Sequence, residues 1–170
     1  KLLALSSLQT VDLEIVALRK QADAYPKEIA ELEKKIAGHR SAVEAERQKL
    51  DDLERQRSTL EATVSEDKDK VRKWEGRLAE QRSTREYAAL AREIDIAKKG
   101  QQTMSEEIVE LNRQAGVQRE LVKQKDAELQ GKTGELVEKE TALKGKLDEV
   151  LKQIAEVDGR RSAAATGVDG

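Results

Sequence analysis

Apolar residues recur four and three apart from close to the start of the chain, the alternation that two supercoiled helices require. The series begins Ala4, Leu8, Val11, Ile15, Leu18, Ala22, Tyr25, Ile29, Leu32, Ile36 and continues through Val43, Leu50, Leu53, Leu60, Val64, Val71, Trp74 and Leu78. His39, Glu46, Arg57 and Asp67 are the only polar residues in phase with it, and no step slips. A second series runs from Tyr87 through Leu90, Ile94, Ala97, Gln101, Met104, Ile108, Leu111, Ala115 and Gln118 to Val122. Beyond Val122 the phase moves to Asp126, Leu129, Thr133, Leu136, Glu140, Leu143, Leu147, Val150, Ile154 and Val157. The two consecutive four-residue steps around Val122 form a stutter, which locally unwinds a supercoil.

Between the two series lies Gln81-Arg82-Ser83-Thr84-Arg85-Glu86-Tyr87, in which Ser83 followed by Glu86 has the form of a capping box that starts a new helix. If the chain reverses there, residues whose numbers sum to 168 face each other. Leu78 then meets Leu90, Trp74 meets Ile94, Val64 meets Met104, Leu32 meets Leu136 and Val11 meets Val157. A parallel pair of continuous helices does not account for that mirror symmetry. The predicted fold is therefore all-α: a long antiparallel coiled-coil helical hairpin with arm one over residues 1–82, a tip at 83–86 and arm two over 87–158. Each arm would be roughly 110 to 120 Å long at 1.5 Å per residue.

Pro26 removes a backbone donor and disfavours helical geometry at Tyr25, so a kink or short break is expected there with the heptad phase preserved across it. Gly116, Gly131, Gly134 and Gly145 make the second arm the weaker helix former. Residues 159–170 have no seam and are rich in Ala and Gly, the profile of a flexible tail or linker. Charge pairs four apart, such as Glu31 with Lys35, Glu66 with Lys70 and Asp69 with Lys73, belong on outer faces.

Composition sharpens this picture by exclusion. Of the 170 residues, 39% are charged and 2% aromatic, which is the profile of long solvated helices rather than of a compact core. Without Cys, and with one His, the chain holds neither disulfides nor a transition-metal cluster. Glycine-rich phosphate loops and nucleophile elbows are missing, so no enzyme is expected. His39 and Trp74 are in-phase seam residues, read as a tolerated polar position and as packing. Glu46, Arg57 and Asp67 are read as residues that fix register at a cost in stability. No stretch is apolar for long enough to span a bilayer, and Lys1-Leu2-Leu3-Ala4-Leu5 is too short for a signal-peptide core; a soluble, cytoplasmic protein is expected.

Net charge is −2, but the residues around the turn depart from it. From Lys68 to Lys99, ten Lys and Arg stand against six Asp and Glu, leaving +4 there and −6 elsewhere. A basic tip suits acidic protein surfaces or phosphates, and a solvated charged face is the competing account.

The tip string Ser83-Thr84-Arg85-Glu86-Tyr87-Ala88-Ala89-Leu90-Ala91-Arg92-Glu93-Ile94 resembles the T-N-R-E-Y-x-A-L-x-x-E-I signature of a bacterial family of coiled-coil hairpins followed by a four-cysteine zinc ribbon. The segments Leu2 to Ile15 and Tyr25-Pro26-Lys27-Glu28-Ile29 resemble the beginning of that family, so the likeness spans nearly the whole chain. It implies an adaptor that binds proteins or nucleic acid, with ties in some members to flagellar or type III secretion biogenesis and to the alternative sigma factor sigma-54. Carried over by position, Arg85, Glu86, Tyr87, Leu90 and Glu93 are the signature residues of the tip, and Arg82 joins them as a partner-binding candidate. Thr84 stands where the signature has Asn. The ribbon's cysteines do not follow the second arm, so no cofactor is expected within this chain, and zinc only in a missing C-terminal ribbon.

Three functions fit these residues: an adaptor that binds protein partners through its tip, a passive spacer or oligomerisation rod, and a nucleic-acid binder acting through the missing ribbon. Tyr87 is the one aromatic residue near the tip, which disfavours recognition of single strands by stacking. Self-association of hairpins through outer faces is compatible with the pattern.

Overall fold

Long runs of Leu, Ala, Glu, Lys, Arg and Gln favour helix at almost every position, and two helices form: α1 over Leu2–Leu78 and α2 over Thr84–Asp169. The computed structural model describes residues 2–169, with side chains for 2–167. Lys1 and Gly170, the outer limits of the expected first arm and tail, lie outside the described residues. The fold is the expected antiparallel coiled-coil hairpin, but its internal boundaries differ from those expected. α1 stops at Leu78 rather than at 82, and α2 starts at Thr84 rather than at 87. The reversal occupies residues 79–83, so most of the expected tip belongs to the first turn of α2.

Two details differ from expectation. Of the kink or short break expected at Pro26, a break does not occur: the helix is continuous through it. Pro26 itself faces solvent while Tyr25 is half-buried and Ile29 is buried, so the seam is kept on both sides of the missing donor. The segment 159–169, expected to be a flexible tail, is helical. Its first residues are tied down by ion pairs, Arg160 to Glu14 at 2.9 Å and Arg161 to Asp12 at 2.5 Å, and Ala163 to Ala165 are strong helix formers.

The chain divides into two units. In the unit formed by Ala42–Asp126, the seam residues Val43, Val64, Val71, Ile94, Leu111, Ala115 and Val122 are buried. Polar seam residues bridge the helices there. Gln118 donates from Nε2 to the Glu46 carboxylate at 2.7 Å and to its backbone carbonyl at 2.9 Å, and Arg57 donates to Asn112 Oδ1 at 3.1 Å. Along one edge, ion pairs join Glu75 to Lys98, Glu54 to Arg119 at 2.8 Å and Arg47 to Asp126 at 2.6 Å. Each of these three pairs sums to 173. Side chains lean toward their own helix N-terminus, so in antiparallel arms long partners meet slightly beyond the 168 register of the seam. At the stutter, Leu121, Val122, Lys125 and Asp126 are all at least half-buried, a local widening of the inward face where the phase changes.

In the unit formed by Lys1–Ser41 and Ala127–Gly170, Ile15, Ile29, Ile36, Val150 and Val157 are buried. Glu14 with Arg160 and Asp12 with Arg161 join the two helices near the buried Ile15 and Val157, and Asp12 with Arg161 again sums to 173. An open groove of about 370 Å³ runs beside Leu32 and Leu143, rimmed by Glu28, Glu31, Lys35, Lys139 and Lys146.

Hydrogen bonds from Gln118 and then Lys49 hold the Glu46 carboxyl below its ordinary range. Arg113 and then Gln114 lower Glu110 to about 2. Both groups favour folding when ionised, so their contribution is complete above the unfolded carboxyl pKa and is lost as pH falls through the lower folded value. The melting temperature, followed by circular dichroism, is therefore expected to fall between about pH 5 and pH 2. The double variant Glu46→Gln/Glu110→Gln should show a shallower fall, and an unchanged slope would mean these carboxylates do not contribute.

A methyl group added at Gly131 or Gly134 meets nothing within 4 Å. Both positions are helical, so Gly131→Ala and Gly134→Ala should each stabilise the fold by about 0.5–1 kcal/mol in urea unfolding.

Candidate functional site

The turn is built from side-chain and backbone bonds at two helix ends. At the end of α1 the Glu80 N–H donates to the Arg77 carbonyl at 3.0 Å, the Gln81 N–H to the Leu78 carbonyl at 3.4 Å, and Gln81 Nε2 again to the Arg77 carbonyl at 3.0 Å. These bonds occupy carbonyls that a terminating helix leaves open. At the start of α2, Ser83 Oγ accepts from the Glu86 N–H at 3.1 Å and the Ser83 carbonyl accepts from the Tyr87 N–H at 3.0 Å, the N-cap expected from Ser83 and Glu86. No positive-φ residue occurs among the described residues, so the reversal needs no glycine.

The six tip candidates fall into two groups. Arg82, Arg85, Glu86 and Glu93 are exposed, whereas Leu90 is half-buried as part of the seam. Tyr87, expected to open the second seam, is instead exposed, at 49%. In the 168 register it would face Gln81, which lies beyond the end of α1, so no helix covers the ring. The sequence places Gln81 at the turn but not its closing role, because a side chain that closes a helix end leaves no periodic signal.

Ion pairing changes the meaning of the local charge. Between Lys68 and Lys99, Arg72 pairs with Asp69 at 3.6 Å, Lys98 with Glu75, and Lys99 with Asp95 at 3.0 Å. Lys68, Lys70, Lys73, Arg77, Arg82, Arg85 and Arg92 have no ion-pair partner among the described residues, against only Glu80, Glu86 and Glu93 on the acidic side. The excess of four positive charges is thus carried by exposed, unpaired side chains. Ile96 adds an apolar surface, 63% exposed, and its place off the seam was the available sequence signal.

Among the described residues no group of three or more His, Cys, Asp and Glu could hold a metal ion, and no helix is long and apolar enough to cross a membrane. What the tip presents is exposed charge and contact surface. Its form depends on the cap: Ser83→Ala should cost about 1 kcal/mol in urea unfolding, and Ser83→Thr should restore most of it. Equal stability of all three proteins would mean that the bond from the Glu86 N–H contributes nothing.

Residues 8–170 match the family model of the CT398-like coiled coil hairpin domain. Among solved structures, CT398 from Chlamydia trachomatis is similar with a TM-score of 0.86 at 18% sequence identity, over 98% of this chain and 70% of that one. The HP0958 protein from Helicobacter pylori is similar with a TM-score of 0.64 at 19% identity, over 97% of this chain and 70% of that one. No curated protein matches.

Proposed function

The chain belongs to the CT398-like coiled coil hairpin domain family, and from that premise we propose that it is a non-enzymatic adaptor whose hairpin presents its tip to protein partners. The observation that carries this reading is the set of unpaired cations at the turn, with Arg82 and Arg85 on either side of the Ser83 cap and the exposed Tyr87 ring beside them. Arginine forks and a tyrosine ring are side chains enriched at protein interfaces, where they supply directional bonds and low-entropy contact area. The hairpin binds without a cofactor; zinc belongs to a C-terminal ribbon of the kind the tip signature implies. The resemblance of that signature further supports a cytoplasmic setting in transcription, flagellar assembly or secretion.

The test is a cross-linked pull-down from lysate of the native cell. It compares the natural chain with the triple variant Arg82→Glu/Arg85→Glu/Tyr87→Ala, after circular dichroism has shown equal folding. Partners captured by the natural chain and lost from the variant are the expected result. Identical capture by both would make the hairpin a spacer with no recognition at its tip.

A further inference from the structure

The outward face of α2 next to the turn carries a stripe with its own pattern. Arg85, Arg92 and Lys99 stand seven residues apart, directly opposite the buried seam residue Ile94, and Ala89 and Ile96 alternate with them along the same exposed face. The stripe spans four helical turns, about 21 Å at 1.5 Å per residue. Asp95 pairs with Lys99, whereas Arg85 and Arg92 have no ion-pair partner among the described residues. Ile96, at 63% exposure, is a large apolar side chain that the two-helix seam does not use.

We propose that this face docks an acidic amphipathic helix of a protein partner, with partner carboxylates on Arg85 and Arg92 and apolar partner residues in the dip over Ala89 and, two turns on, against Ile96. This deepens the reading of the tip as a recognition site and rests on it, by giving the partner's chemistry. Three observations select the occupant. The cations recur every seven residues, the spacing at which a second helix lying along the first repeats its own surface. Small Ala89 and, two turns further along the same face, large Ile96 offer a hole and a ridge of the sort that helix packing fills. The charge of the stripe is positive and partly unpaired, which calls for carboxylates from the other side. A nucleic acid is a poorer match. Its phosphates follow one another every 3.4 Å or so along the axis of each strand, against about 10.5 Å between Arg85 and Arg92, and it offers no apolar complement to Ile96.

The experiment uses the whole chain and fluorescence anisotropy with defined probes. The first probe is a labelled helical peptide with Leu on one face and Glu spaced seven apart beside it. The controls are a scrambled peptide of the same composition, a glutamate homopolymer of equal charge and a mixed-sequence single-stranded RNA. The variants are Ile96→Ser and Arg92→Glu, both at exposed positions outside the pull-down variant. The expected result is saturable binding of the helical probe, weakened about tenfold or more by either variant and by scrambling. Binding of homopolymer or RNA as tight as that of the helical probe, or indifference to Ile96→Ser, would reduce the face to general charge attraction and overturn the proposal. So would no binding of the helical probe. If that probe fails while the Arg82/Arg85/Tyr87 variant still loses its cellular partners, this inference falls and the tip reading stands. If the probe binds through Ile96 and Arg92 while the tip variant loses no partner, the tip reading falls.

Discussion

Everything in this molecule depends on a seam shared by only two helices. In such a pair each inward residue is covered from one direction, and its flanks remain close to water. The best-buried residues are accordingly β-branched or small: Ile15, Val43, Val71, Ala115 and Val157, at 5% exposure or less. Among the described residues no large side chain is fully enclosed. Burial of apolar area contributes at each layer and accumulates along the length, rather than being concentrated in one core. Glycines and a proline can be carried inside the helices because no single layer decides whether the chain folds.

Incomplete burial also explains how polar residues sit in the seam. Gln118 and Lys49 donate to the Glu46 carboxylate, and Arg57 bonds Asn112 across the helices. An apolar seam of repeating layers could slide by a heptad with little penalty, whereas these bonds form in one register only. The edge pairs Glu54 with Arg119 and Arg47 with Asp126 repeat the same offset and reinforce it. Register in turn determines which residues fall at the turn. Held in that alignment, α1 ends at Leu78 and Gln81 closes it, so Tyr87 emerges with no helix opposite.

Much of this was legible in the sequence because a heptad pattern specifies both which residues turn inward and which arm they meet. Positions from Ala4 to Leu78 and from Leu90 to Val157 are inward-facing as their phase requires, including the shift at Val122. Periodicity misleads where it runs past the end of the partner helix, as at Tyr87. It is also silent where a single side chain ends a helix, as Gln81 does. The tail had no apolar phase, yet Arg160 and Arg161 fold it against Glu14 and Asp12, contacts between residues almost 150 positions apart that no local pattern announces. Net charge near the turn was visible, but the pattern of four-apart pairs did not give the partners, since Asp69 pairs with Arg72 rather than with Lys73, and pairing is what separates Lys98 and Lys99 from Arg82 and Arg85.

Because the seam uses only inward positions, the outward ones are free to differ without disturbing the fold, and function must be sought among them. In the middle of the hairpin many outward charges are already engaged, for example Glu110 with Arg113 and Glu44 with Arg47. Engaged charges offer a partner little, since a new bond there must first break an old one. Near the turn the balance reverses. Arg82 and Arg85 lie where one helix has ended and the other has begun, beyond the reach of edge partners on the opposite arm, and Arg92 points away from that arm altogether. The geometry that closes the hairpin thus leaves these cations unmatched among the described residues, and a complementary surface can engage them without displacing any ion pair of the fold.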